Sequence, residues 1–135
     1  MPMMQINEKV IYSELSYKIC GLCFSMQNNL GRYRNEKQYA DALENLLKEN
    51  KILYVREVPL PPSLEGEKER RNIVDFIVED KIIVELKARE IVLKEDYSQT
   101  MRYLFPSNKK IGLLINFRQK YLRPKRILNS CYSVS

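Results

Sequence analysis

Apolar residues recur at three- and four-residue steps through Val10, Ile11, Leu15, Ile19, Leu22, Met26 and Leu30, which predicts an amphipathic helix over roughly Glu8 to Asn29. Gly31 is placed to end it, since glycine enters the left-handed conformation of a helix stop at little steric cost. Asn35 and Gln38 have the spacing of a reciprocal N-terminal cap, opening a second helix to about Glu49 whose inner face would be Tyr39, Ala40, Leu43, Leu46 and Leu47. The period then changes. Ile52 to Val58 is β-rich and stops at Pro59-Leu60-Pro61-Pro62, a cluster that cannot continue a sheet interior. Ser63 to Arg71, with Gly66, reads as a charged loop.

Two short apolar runs follow, Ile73 to Val78 and Ile82 to Leu86, separated by Glu79-Asp80-Lys81 in the manner of a β-hairpin. Both are apolar on either face, as strands covered on both sides are. A third helix is expected from about Lys94 to Phe105, stopped by Pro106. Ile111 to Phe117 and Tyr121 to Leu128 read as closing strands, with Pro124 marking the last as an edge. The order α-α-β-β-β-α-β-β is most simply satisfied by one central mixed β-sheet flanked by helices, an α/β (α+β) fold forming a single domain over residues 1–135.

Composition narrows the class. Apolar residues make up 44% and charged residues 30%, an ordinary globular balance. No apolar run approaches the roughly 20 residues of a membrane helix, and the N-terminus lacks the form of a secretory signal. Three cysteines and no histidine argue against a disulfide framework or a four-ligand zinc site, and for a reducing, cytoplasmic setting. Cys20 and Cys23 fall inside the first helical pattern and read as small core residues. Net charge is +6, and it is unevenly spread: after Ser107 there is no acid, only Lys109, Lys110, Arg118, Lys120, Arg123, Lys125 and Arg126. Such a stretch suits a phosphate backbone, though lysine and arginine also guard exposed sheet edges.

The hairpin carries the anomaly. In NIVDFIVEDKIIVELKA, Asp75, Glu85 and Lys87 interrupt otherwise apolar strands. Glu85 and Lys87 are two apart and leave one face. A three-residue turn would set Asp75 opposite Glu85 on that face, whereas a two-residue turn would set them on opposite faces. Two such carboxylates make a hard-oxygen site for Mg²⁺ or Mn²⁺, with the backbone carbonyl of Leu86 as a further ligand. A nearby lysine can orient a water or stabilise developing charge. The plain alternative is a salt bridge at a strand end. Glu36 stands at the head of the second helix's inner face, where it is either a partnered carboxylate or an acid favoured by the helix dipole. Gln99 and Tyr103 share a face of the third helix, as a functional pair or as a surface amide beside a core aromatic.

The segments LGRYRNEKQYADAL, REVPLPP, VDFIVEDKIIVELKA, SQTMRYL and GLLINF resemble the GxxExxY protein family, which is similar to the RecB-like branch of the PD-(D/E)xK nucleases. The signature falls on Gly31, Glu36 and Tyr39, the catalytic pattern on Asp75, Glu85 and Lys87, and a Q-x3-Y pattern on Gln99 and Tyr103. The resemblance implies an α-β-β-β-α-β core and a metal-dependent nuclease. The chain departs from many relatives at Gly31-Arg32-Tyr33, where they read glycine-proline-glycine, and at Gln27, where they carry histidine.

The expectation is therefore a Mg²⁺- or Mn²⁺-dependent nuclease acting on DNA or RNA. The alternative is a catalytically silent nucleic-acid-binding or protein-assembly module on the same fold. No specificity domain is apparent, so selectivity would come from a homodimer or another protein partner.

Overall fold

The helical period from Leu15 to Leu30 is realised as α1 (Ser13–Leu30), the first element of a computed structural model that describes residues 11–60, 72–130 and 132. The expected start of this helix near Glu8, the Ser63–Arg71 loop and Cys131 lie outside the described residues. Gly31 ends α1 with φ 79°, its N–H donating to the Gln27 carbonyl. α2 (Glu36–Glu49) opens on the expected reciprocal cap: Gln38 N–H donates to Asn35 Oδ1 at 2.8 Å and Asn35 N–H to Gln38 Oε1 at 2.9 Å. Among the described residues no helix is long and apolar enough to cross a membrane.

Five strands form one sheet in the order β1 (Tyr54–Pro59), β2 (Ile73–Val78), β3 (Ile82–Lys87), β4 (Ile111–Asn116), β5 (Lys125–Leu128). The sheet is mixed, as expected: β3 and β4 run parallel, joined through α3 (Lys94–Ser107), and the other neighbours are antiparallel. Every residue of β3 and β4 is buried, because helices cover both faces. Ile82, Val84 and Leu86 of β3 join Ile19, Met26, Tyr39 and Leu43 of α1 and α2 in one core cluster. Ile83 packs in a second cluster with Tyr103 and Leu104 of α3. The two-residue side-chain period therefore puts Glu85 and Lys87 on the α3 face. α3 lies close against β4: a Cβ built on Gly112 would meet the Thr100 methyl at 2.9 Å.

Two boundaries differ from the sequence pattern. Pro106 does not stop α3, which runs on to Ser107. Its missing N–H frees the carbonyl of Arg102, an exposed residue where water can replace it, and Asn108 ends the helix with φ 51°. The last strand begins at Lys125 rather than Tyr121. The chain leaving β4 first turns over, held by the Gln27 amide, which donates to the carbonyls of Phe117 at 3.0 Å and Gln119 at 2.7 Å. Pro124 then has no N–H to offer a ladder. Arg123 thus lies outside β5 and does not alternate with Lys125 on a strand.

Candidate functional site

The hairpin turn holds three residues between Val78 and Ile82, which pair with each other, as do Ile77 with Ile83 and Phe76 with Val84. Glu79 and Asp80 both take left-handed φ, 53° and 55°, and the Lys81 N–H donates to the Val78 carbonyl at 2.9 Å. One more step in this register would set Asp75 across from Glu85, as expected for a three-residue turn. The regular ladder stops at Phe76 and Val84, however. Beyond it, the Asp75 N–H donates to Glu85 Oε1 at 2.9 Å, and the Leu86 N–H donates to Asp75 Oδ2 at 2.7 Å. The strands part here, and each carboxylate replaces a backbone partner on the opposite strand.

Burial pushes the Asp75 carboxyl above its ordinary range, with the Glu36 charge adding to the rise and the Leu86 N–H and Lys87 opposing it. Glu85 is pushed much further, first by burial and then by the Asp75 charge. Burial also raises the Tyr103 hydroxyl to about 12, assisted by the charge of Glu85. A desolvated pair of carboxyl groups, each disfavouring the other's ionisation, lies at the centre of the site.

Lys87 is buried, with Nζ 3.9 Å from Asp96 Oδ1. Gln99 is the residue expected to hold this lysine or a substrate phosphate. Its side chain is half-buried and forms no hydrogen bond among the described residues, and the anion beside Lys87 on α3 is Asp96. Asp96 also accepts the Arg89 guanidinium at 2.8 Å and the Leu93 N–H at 2.8 Å. Asn116, at the end of β4, fixes Arg89 by accepting its N–H at 3.0 Å and donating to its carbonyl at 2.8 Å. Neither Asp96 nor Arg89 was singled out in the sequence, where an acid in a helix's first turn reads as dipole compensation. The available signal was spacing: Asp96, Thr100 and Tyr103 fall on one face, and all three are buried.

The signature residues are tied into the same region. Tyr39 stacks on Phe117 with ring centroids 4.2 Å apart, and its hydroxyl donates to the Gly31 carbonyl, joining the end of α1 to the start of α2. Glu36 is half-exposed; its Oε2 accepts the Ala88 N–H at 3.2 Å and lies 3.9 Å from Arg89 Nε. It lines a cavity of about 200 Å³ together with Asp75 and Arg56. Tyr103 packs in the α3 core cluster. The structure thus gathers Asp75, Glu85, Lys87 and Glu36 and places Tyr103 beneath them, while Gln99 forms no bond to any of them.

The seven cations of the C-terminal stretch do not form one surface. Lys109 pairs with Asp80 at 2.6 Å and Lys110 packs over Tyr12, both at the turn end of the sheet, away from the carboxylates. The crossover through α3 makes β4 run parallel to β3, which separates these lysines from the site by the length of the strand. Arg126 is half-buried against α1, donating to the Ser16 hydroxyl and, at 2.7 Å, to the Ile11 carbonyl. Lys125 is exposed on the edge strand. Arg118, Lys120 and Arg123 remain at the site end, where they line a cavity of about 580 Å³ with Arg32.

The donor chemistry suits a hard divalent cation. Asp75 Oδ1 and Glu85 Oε2 have no hydrogen-bond partner among the described residues, so each carboxylate keeps one oxygen free. No group of three or more metal-binding side chains assembles among the described residues.

A family model described as the PD-(D/E)XK nuclease superfamily matches residues 13–127. Among solved structures, the crystal structure of SSO0001 is similar at 19% identity and a TM-score of 0.53, over 90% of this chain and 62% of that one. This chain therefore spans less than two thirds of that protein, and the likeness bears on the fold alone. No curated protein matches the chain.

Proposed function

The chain belongs to the PD-(D/E)XK nuclease superfamily, whose substrates are nucleic acids, and from that premise we propose that it hydrolyses phosphodiester bonds at the Asp75–Glu85–Lys87 site with a divalent metal. Within the superfamily we place it in the GxxExxY family of RecB-like type, on Gly31, Glu36 and Tyr39. The observation that supports the reading is the pair of bonds across the end of the hairpin, Asp75 N–H to Glu85 Oε1 and Leu86 N–H to Asp75 Oδ2, which brings two carboxyl groups with raised pKa values together beside the buried Lys87.

Asp75 and Glu85 would hold Mg²⁺ or Mn²⁺ through their free oxygens, with the Leu86 carbonyl as a third protein ligand. Bound there, the cation supplies Lewis acidity at a phosphoryl oxygen and a more acidic water. Lys87, held by Asp96, presents its ammonium where the attacking water or the charged transition state is met. Arg89, fixed by Asp96 and Asn116, offers a second cation at the cleft edge. Glu36 holds the chain after Lys87 through the Ala88 N–H. Tyr103 packs beneath the carboxylates and keeps water out.

The test is incubation of the protein with labelled single- and double-stranded DNA and RNA in Mg²⁺, Mn²⁺ or EDTA. Cleavage should need metal and disappear in Asp75→Asn and Glu85→Gln. Lys87→Ala should keep metal-dependent stabilisation and lose turnover by more than 100-fold, on the order expected for one lost electrostatic catalyst. If Lys87→Ala cleaves as fast as the wild type, the hydrolytic mechanism is wrong and the fold serves as a binding module.

A further inference from the structure

The cavity of about 580 Å³ at the carboxyl ends of β3 and β4 has no part in the chemistry above. Four cations line it, Arg32, Arg118, Lys120 and Arg123, together with two aromatic rings, Tyr33 and Tyr121. Glu90 is the acid in its lining, leaving a strong positive excess. The rings are not core residues: Tyr33 is 73% and Tyr121 67% exposed. Large aromatics left in water beside a cavity are informative because burial elsewhere would stabilise them.

The cations are interleaved with the rings. The guanidinium carbons of Arg32 and Arg118 lie 5.2 Å and 5.4 Å from the Tyr33 ring centroid, and Lys120 Nζ lies 5.5 Å from that of Tyr121. Arg118 Nε donates to the Arg32 carbonyl at 2.9 Å, which joins the α1–α2 corner to the loop after β4. Gln27 anchors the same loop. The cavity is thus held between two fixed segments. Arg32 Nε is buried with no partner among the described residues, a donor that an anion could satisfy.

We propose that this cavity is a binding site for single-stranded nucleic acid, with Tyr33 and Tyr121 stacking unpaired bases and Arg32, Arg118 and Arg123 holding the phosphates between them. This rests on the nucleic-acid reading of the adjoining site and names the strand form that reaches it. In a duplex the bases are already stacked and paired, so exposed rings in a concave pocket gain little from it. An unpaired strand offers each ring a π-face and each guanidinium a phosphate. Glu90 follows Arg89, which bonds Asp96 and lies 3.9 Å from Glu36, so the cavity borders the loop that supplies a cation to the carboxylate site.

The experiment is binding without turnover: fluorescence anisotropy of the full chain in EDTA, with labelled single-stranded DNA, single-stranded RNA and the matching duplex. Single strands should bind at least 10-fold tighter than the duplex, and the DNA and RNA arms show whether the sugar matters. Tyr33→Leu and Tyr121→Leu, both at exposed positions, should each weaken single-strand binding by roughly 5- to 150-fold, the range for one lost base stack, and leave duplex binding unchanged. Arg118→Gln should lower the salt dependence by about 0.7 in log–log slope, the loss of one single-strand phosphate contact. Duplex binding as tight as single-strand binding, or tyrosine variants that bind like the wild type, overturns the proposal. Cleavage measured separately in Mg²⁺ distinguishes the two readings. Tight single-strand binding with no cleavage sinks the nuclease alone, and cleavage with no strand preference sinks this site alone.

Discussion

Without metal, Glu85 and Asp75 should oppose folding, and Glu85→Gln tests this with little change in shape. A cross-strand pair has Cβ atoms about 5 Å apart. Two unit charges at that separation repel by about 3 kcal/mol at an effective dielectric constant near 20. Lys87, whose charge opposes the rise of both carboxyl pKa values, offsets part of this, leaving a net penalty of about 1–3 kcal/mol at pH 8. The glutamine oxygen still accepts the Asp75 N–H, so the fastening between strands survives. In EDTA at pH 8 the variant should therefore be more stable than the wild type, with Tm higher by roughly 5–10 °C for a domain of this size. The pH dependence has a definite sign. Both folded-state pKa values lie above the ordinary 3.8 and 4.5, so the stability these groups contribute is complete below those values. It is lost as pH rises through the raised folded-state values. Wild-type protein in EDTA should melt later at pH 5.5 than at pH 8, and Glu85→Gln should show most of that difference removed. Magnesium at 100 times its Kd should restore about 2.7 kcal/mol to the wild type and nothing to the variant. Differential scanning fluorimetry across pH, with and without Mg²⁺, reads all of these. A variant no more stable than wild type in EDTA at pH 8 would refute the reasoning.

Asp96→Ala strips the buried anion from Lys87 and Arg89, and should cost about 2–4 kcal/mol by urea denaturation. Gly112→Ala pushes a methyl into Thr100 and should cost about 1–3 kcal/mol, with α3 displaced from β4 and cleavage reduced if the site depends on that packing. Gln27→Ala removes both hydrogen bonds to the loop after β4 and should cost about 1–2 kcal/mol. It should also weaken nucleic-acid binding while leaving the magnesium-induced rise in Tm intact. Arg126→Met should lower stability by urea denaturation without altering the salt dependence of binding, since the guanidinium is half-buried away from the cavity and its terminal nitrogens donate to Ser16 and Ile11.

What could be seen in the sequence was what short-range rules govern. The Asn35–Gln38 cap, the stop at Gly31 and the three-residue turn of the hairpin each depend on a few neighbouring residues, and each is realised. Asp75 and Glu85 were legible because a charge inside an apolar strand is anomalous wherever the strand ends up. Asp96 and Arg89 were not, because their role depends on α3 returning across the sheet, a long-range event with no local mark. The same crossover carries Lys109 and Lys110 to the far end, although they sit only a few residues from Arg118 in the chain. Gln27 looked like the loss of a histidine, yet its amide has two carbonyls to hold.

The replacement of ladder bonds by carboxylates has a spectroscopic consequence. The amide protons of Asp75 and Leu86 are sheltered by side chains that titrate and can bind a cation, not by carbonyls, whose basicity does not change. Their solvent exchange and their chemical shifts must therefore follow the charge state of the two acids. Neighbouring amides of β3 and β4 in the regular ladder should stay indifferent to it. Two backbone positions thus act as resident reporters, through which occupancy of the cleft can be read residue by residue without any substrate turning over.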